Sequence, residues 1–444
     1  MTMGAHGIAL FGQLSQMQTL LITLGGAGLA TATRVILARN DLSGKARDQA
    51  QSWLLWVPAA FSLGLVVVIT ALNAGVSQIV LGSSAYGLES IFAAAGIPLA
   101  VAGQIVLAAA QAGRETSRLV ASALTAALVG GAVVAALMAT GDSSLAALSL
   151  VCGPGVQLLV IVFICRTARR GFLAFPRLDK IRRKEVIVLA SASLVLGALA
   201  AGAELASRST VVHFRGLIEL APYQPVALLV TTSMSLILGA VATSSLVELA
   251  SIDNRGLIGE RITEIAKRIL PFFGLIISLV IALSPFAVSI LFVPTLVHSS
   301  TALIVFAFAG EPLRALAWIA GSCFLPLGQR RTWLVVGLLT VSVQAAVALV
   351  FASTVGVFAI VAGLVSASVV TLAATLLALK RSSIIVEKPA VILSVCISII
   401  VSGLPLLSYA ILGVVSPGAI FSAGLIGIYM VVYKKLQSNL REVA

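Results

Sequence analysis

Long apolar runs separated by short polar loops set the pattern of this chain. Crossing a hydrocarbon core as a helix takes about 20 apolar residues. That ruler predicts thirteen helical segments: 12–37, 53–73, 88–110, 119–138, 145–165, 186–206, 225–247, 269–292, 301–326, 334–352, 357–379, 390–412 and 418–433. Gly and Pro interrupt several of them, which neighbouring helices in a bundle tolerate. The short alternating segments of a β-barrel are not seen. The expected class is therefore an all-α integral membrane protein. Composition agrees, since 59% of the 444 residues are hydrophobic and only 10% charged, too few to coat a soluble domain.

The loops are not merely polar; they are basic on alternate sides. Arg39, Lys45 and Arg47 share one loop, Arg114 and Arg118 the next but one, and eight Lys and Arg fill 166–185. The later alternate loops hold Arg255, Arg261, Lys267 and Arg268, then Arg330 and Arg331, then Lys380, Arg381 and Lys388, and the C-terminal tail holds Lys434, Lys435 and Arg441. With Arg34, this puts 26 of the 29 basic residues on one side. The positive-inside bias makes that side cytoplasmic. The net charge of +13 is thus explained by topology and contact with anionic lipid, and a nucleic-acid partner is not expected. With loop 38–52 inside, segment 12–37 runs inward from outside. Residues 1–11 have no basic n-region or cleavage site, so a cleavable signal is not expected. A further helix ahead of residue 1, fourteen in all, is the expectation that reconciles these points.

Two short words recur at nearly equal offsets. Ala30-Thr31-Ala32-Thr33 is echoed by Ala242-Thr243-Ser244-Ser245, and Ala95-Gly96-Ile97-Pro98-Leu99 by Ala309-Gly310-Glu311-Pro312-Leu313. Both spacings equal six segments, an even number that preserves orientation, so the halves are parallel repeats of a kind common in secondary transporters. The expected organisation is an N-terminal half at 1–165, a basic cytoplasmic linker at 166–185 and a C-terminal half at 186–379. Two extra helices follow at 390–433.

An ionisable group inside the apolar zone costs at least ~2.5 kcal/mol on insertion scales, which makes each one a functional candidate. Glu311 and Arg314 fall near the middle of segment 301–326, three residues apart on one face. Their first-half counterparts are Ile97 and Ala100, so the pair is carried only once. The bland reading is a structural ion pair. Glu204, Arg208, Arg215 and Glu219, with His213 nearby, form a stripe if helix 186–206 continues outward. It reads equally as a cavity lining or as an interfacial helix with snorkelling arginines. Arg34 either faces a cavity or anchors at the interface. Gln13, Gln16, Gln104 and Gln157 serve as interhelical glue or ligands, and His6 and His298 lie at outer segment ends.

Several chemistries find no support. Cys152, Cys165, Cys323 and Cys396 lie in or beside apolar segments without CxxC spacing, so neither a disulfide framework nor a metal site is expected. GxxxxGK[ST], HExxH and a Ser/His/Asp set do not stand out, and no outer loop is long enough for a catalytic domain. The chain is not expected to be an enzyme or to carry a cofactor.

The opening Gly4-Ala5-His6-Gly7-Ile8-Ala9-Leu10-Phe11-Gly12-Gln13, with Thr23-Leu24-Gly25-Gly26-Ala27-Gly28 after it, resembles the bacterial polysaccharide (Wzx-like) flippases. These translocate O-antigen or enterobacterial common antigen repeat units. Gly82-Ser83-Ser84-Ala85-Tyr86 is similar to the family's outer turn before its fourth helix. Gly113-Arg114-Glu115 resembles an inner turn, and Gly310-Glu311-Pro312-Leu313-Arg314 resembles the family's G-[DE]-x-x-[KR]. Where the family usually has a base followed by an aromatic, this chain has Val35 and Ile36 beside Arg34.

The resemblance implies the fourteen-helix fold of the multidrug/oligosaccharidyl-lipid/polysaccharide exporter superfamily in the bacterial cytoplasmic membrane. It also implies a flippase for an undecaprenyl-pyrophosphate-linked oligosaccharide, working by alternating access. Glu311, Arg314, Arg208, Arg215 and Arg34 are the expected substrate-binding or transport residues, the arginines because a guanidinium fork suits pyrophosphate oxygens. A polysaccharide polymerase and a chain-length regulator are the implied partners. The alternatives are a cation-coupled multidrug exporter, a lipid II flippase or a non-transporting membrane scaffold.

Overall fold

A computed structural model describes residues 4–26, 29–38, 44–113, 115–232, 255–324 and 329–384, with single positions at 234, 327, 396 and 400. Among these no residue lies in a strand, and nine helices are long and apolar enough to cross a membrane. The expected spans 390–412, apart from Cys396 and Ile400, and 418–433, and most of 225–247, lie outside the described residues. Packing groups the chain into two units, Met1–Ala221 and Pro222–Ala444.

The first unit begins with α1 (Ala5–Gly26) and α2 (Leu29–Ala38), which together fill the predicted 12–37 segment. Next come α3 (Gly44–Ala71) and α4 (Asn73–Leu81), then a 3-10 turn at Ser84–Tyr86. The third predicted segment is a broken helix, α5 (Gly87–Ala95) followed by α6 (Ile97–Ala112). Two more spans, α7 (Thr116–Ala139) and α8 (Ser143–Ile164), pack as a hairpin.

The stretch expected to be a linker is helical except at 174–179. It forms α9 (Arg166–Leu173) and the first turns of α10 (Lys180–Arg215). At 36 residues α10 is about 54 Å long, well beyond the hydrocarbon thickness, so its polar ends protrude. By packing, α10 belongs with the first unit, where it lies against α1, α2 and α4. The repeat in the sequence had assigned 186–206 to the second half.

The second unit opens with a short 3-10 turn's successor, α11 (Tyr223–Val226), and a π-helical turn at Ala227–Thr232. The long α12 (Arg255–Leu291) leads to another 3-10 turn at Pro294–Leu296. A broken helix again follows, α13 (Val297–Phe308) and α14 (Glu311–Gly321), then the hairpin α15 (Arg330–Val355) and α16 (Phe358–Arg381).

Local structure supports the repeat that the short sequence words suggested. The 3-10 turn, the broken helix and the helical hairpin recur in the same order in both units. Each break has a glycine as N-cap and a proline in the first turn beyond it, Gly96 with Pro98 and Gly310 with Pro312. Proline suits a first turn because the amide it removes has no helical partner there.

Close packing holds both glycines. A Cβ on Gly96 would collide with the Leu150 carbonyl and the Gln18 amide. A Cβ on Gly310 would meet Ser368 Oγ and Val365 Cα at 3.1 Å each. In each unit the break thus lies against the second helix of the following hairpin.

Candidate functional site

The break in the second unit carries charge. Glu311 is the first residue of α14, where the helix dipole favours a carboxylate. Its side chain is buried, the residue being 3% exposed, within the candidate span Pro294–Gly321. Arg314 Nη2 lies 2.9 Å from Glu311 Oε2, and the Arg314 side chain remains 24% exposed. The contact is ionic: among the described residues neither Glu311 Oε2 nor Arg314 Nε completes a hydrogen bond. One residue is sequestered and its partner is partly open, so the pair has unused hydrogen-bonding capacity on both sides.

The corresponding break in the first unit is neutral. Ile97 is fully buried there, and Gln18 performs the polar work. Its Nε2 donates to the carbonyls of Ala93 at 3.1 Å and Leu150 at 2.8 Å, tying α1 to the end of α5 and to α8. The sequence reading passed over Gln18, although it recurs five residues after Gln13. Of the glutamines it did select, Gln13 donates to the Val80 carbonyl at 2.9 Å and to Ser209 Oγ at 3.1 Å. Gln16 reaches the Ala201 carbonyl at 3.4 Å. Gln104 and Gln157 are exposed.

The expected outer stripe divides on inspection. Helix α10 does continue past 206 as far as Arg215, but Gly216, at φ 86°, ends it and puts Glu219 in a separate 3-10 turn. Arg208 is only 4% exposed; its Nε donates to Glu204 Oε1 at 3.0 Å and its Nη1 to the Gly12 carbonyl at 3.4 Å. Arg215 is exposed, as is His213, whose ring meets Phe214 edge-on. Arg34 lies in α2, and its side chain is outside the described residues. The five expected site residues therefore do not form one cluster within either unit. Glu311 and Arg314 stand together in the second unit, while Arg34, Arg208 and Arg215 belong to the first.

A third polar centre lies where α6, α7 and α9 meet in the first unit. Glu115, between α6 and α7, accepts hydrogen bonds from the amides of Thr167 at 2.7 Å and Arg166 at 3.0 Å, and from the Thr167 hydroxyl. It thereby caps α9 from 51 residues away in sequence. Arg118 adds an ion pair at 3.3 Å. Burial pushes the Glu115 pKa up, but the bonds from Thr167, Arg166 and Arg118 outweigh it and hold the carboxyl below its ordinary value. Among the described residues no group of three or more His, Cys, Asp or Glu could hold a metal.

No family model and no curated protein sequence matches this chain. Solved structures do. The lipid II flippase MurJ in an inward closed conformation aligns with a TM-score of 0.71 at 12% identity, covering 98% of this chain and 94% of that one. The fold is that of the MOP-superfamily transporters. An inward-facing multidrug resistance MATE transporter of that superfamily gives a TM-score of 0.61 at 16% identity, over 86% of this chain and 91% of that one. A MOP-superfamily transporter from Pyrococcus furiosus, described by the reverse polarity of its binding pocket, gives 0.54 at 16% identity, over 85% and 91%.

Proposed function

We propose that this chain flips an undecaprenyl-pyrophosphate-linked oligosaccharide from the inner to the outer leaflet of a bacterial cytoplasmic membrane. The observation that carries the reading is the Glu311–Arg314 pair, placed at a helix break inside a span and only half consumed by itself. A part-open guanidinium is a suitable receiver for pyrophosphate oxygens, and the neighbouring carboxylate keeps it from binding them irreversibly. Discontinuous helices near the membrane midplane are where secondary transporters place substrate. The alignment with a lipid II flippase supports a lipid-linked cargo. In this scheme Arg215, exposed at the end of α10, is the outer cation that draws the pyrophosphate across.

A second reading, a cation-coupled exporter of small organic cations, is favoured by the carboxylate of Glu311 and by the MATE alignment. Vesicles containing the purified chain separate the two. The flippase reading expects a fluorescent undecaprenyl-pyrophosphate glycan to become accessible on the opposite face, with no uptake of an organic cation under a proton or sodium gradient. Cation uptake without glycan flipping would reverse the assignment.

A further inference from the structure

The basic stretch after α8 has a shape that membrane insertion alone does not require. Helix α9 is amphipathic in an unusual way. Ala168 and Gly171 face inward, where Gly171 is so tightly set against Gln51 that no Cβ would fit, and Gln51 Nε2 donates to the Ala168 carbonyl at 3.4 Å. Arg166, Arg169 and Arg170 are exposed. At its end, Leu173 and Phe175 are 77% and 78% exposed, two large apolar side chains beside three cations. The helix is held firmly. Glu115 caps its start, Phe172 meets Trp56 with ring centroids 5.3 Å apart, and Ser52 Oγ donates to the Ala174 carbonyl at 2.6 Å.

Just beyond α9 the chain folds over the first turns of α3 and leaves a crevice of about 380 Å³. Ala46 and Ala50 lie on one side, and Gln49, Arg177, Asp179 and Arg183 supply its polar lining. Its cations are pre-positioned. The Arg177 amide donates to the Gln49 carbonyl at 3.2 Å. Arg183 donates through Nε to the Leu178 carbonyl at 2.8 Å, and its guanidinium stands 5.6 Å from the centre of the Trp53 ring. Asp179, the one acid among the described lining residues, has an interaction of its own within the chain.

We propose that this crevice and the basic face of α9 seat the phosphate of an anionic phospholipid from the cytoplasmic leaflet, its acyl chains lying along Leu173 and Phe175. The position fits, because α8 ends at Ile164 and α3 begins at Gly44, so the crevice lies where the spans leave the bilayer. Charge fits as well, since basic clusters beside spans attract anionic lipid. A free phosphate would use the arginines, but it would leave the exposed Leu173 and Phe175 unexplained. A lipid uses both, as interfacial amphipathic helices do. The proposal is independent of what the chain transports.

Tryptophan quenching tests it on the full chain in vesicles. Replacing Trp318→Phe and Trp333→Phe leaves Trp53 and Trp56, both beside the crevice and α9. Vesicles of phosphatidylcholine and phosphatidylglycerol are prepared with bromine on the chains of one lipid or the other. The expected result is stronger quenching by brominated phosphatidylglycerol than by brominated phosphatidylcholine. Arg177→Gln, at an exposed position, should lower that preference about fivefold, and Leu173→Ser should lower it without changing net charge. Arg330→Gln with Arg331→Gln, on the same membrane side, should leave it unchanged. Equal quenching by the two lipids, or a preference that survives Arg177→Gln with Arg183→Gln, overturns the proposal. So does a preference that excess inorganic phosphate removes at constant ionic strength, since the occupant would then be a free anion.

Discussion

Arg208 is turned into its own unit, with its Nε 3.0 Å from Glu204 Oε1 one helical turn earlier. Both side chains are largely buried, and Arg208 also reaches the Gly12 carbonyl of α1. An arginine so placed fastens α10 to α1. Removing one partner of a buried pair strands the other and costs about 3–5 kcal/mol. Arg208→Gln should therefore destabilise the protein markedly in a detergent thermal melt. Arg215→Gln, at an exposed position where even a lost ion pair is worth little, should stay within about 1 kcal/mol of the parent. Equal melting of the two variants would count against the structural role of Arg208.

The Glu311–Arg314 pair calls for a test that separates transport from folding. Neutralising either residue alone, as Glu311→Gln or Arg314→Gln, should abolish glycan flipping in vesicles. Replacing both with apolar residues should recover stability, because no unpaired charge is left in the membrane. Transport should stay lost in that double variant. If flipping returned together with stability, the pair would be a structural ion pair only.

These two pairs show why sequence exposes some of the site and hides the rest. Glu311 and Arg314 were legible because a charge in an apolar run is costly wherever it points. Arg208 was legible as a candidate, but not as a tether. Helical spacing gives the face it shares with Glu204, and only packing decides whether that face meets solvent or α1. The spans were legible from length and hydropathy, whereas the breaks at Gly96 and Gly310 emerged only as a faint repeated word. Gln18 could not be read at all, because an amide on an apolar helix does not name the carbonyls it will meet. The Glu115 cap joins residues 51 apart in sequence, beyond the reach of any local pattern.

The two breaks differ in how tightly they are packed, and the difference is measurable. At Gly96 a Cβ meets a backbone carbonyl and a buried amide that is already bonded twice, neither free to move. At Gly310 the contacts are Ser368 Oγ and the Val365 Cα at 3.1 Å and Ser368 Cβ at 3.3 Å, tight but without the outright overlap met at Gly96. Overpacking of this kind costs about 1–3 kcal/mol. Gly96→Ala should fall at the upper end and Gly310→Ala at or below the lower. Melting temperatures of the two variants in one detergent give the order, and the reverse order would refute the packing argument.

Glu115 makes the fold sensitive to acid at one defined place. Its carboxylate carries the bonds that start α9, and those bonds hold its folded pKa below the ordinary value of 4.5. Above that value both folded and unfolded chains are ionised, and the full stabilisation is present. As pH falls, the unfolded chain takes up its proton first, so stability drops until the folded carboxyl is protonated as well. A glutamine keeps one acceptor oxygen but loses the charge. At neutral pH the parent should therefore exceed Glu115→Gln by about 1.5 kcal/mol, the low end for a hydrogen bond to a charged group. The gap should hold down to about pH 5 and close as pH drops through the folded pKa. Thermal melts of both proteins across that range check the sign directly. A gap that widened on acidification would mean that the Glu115 pKa is raised, and that burial rather than the α9 amides governs it.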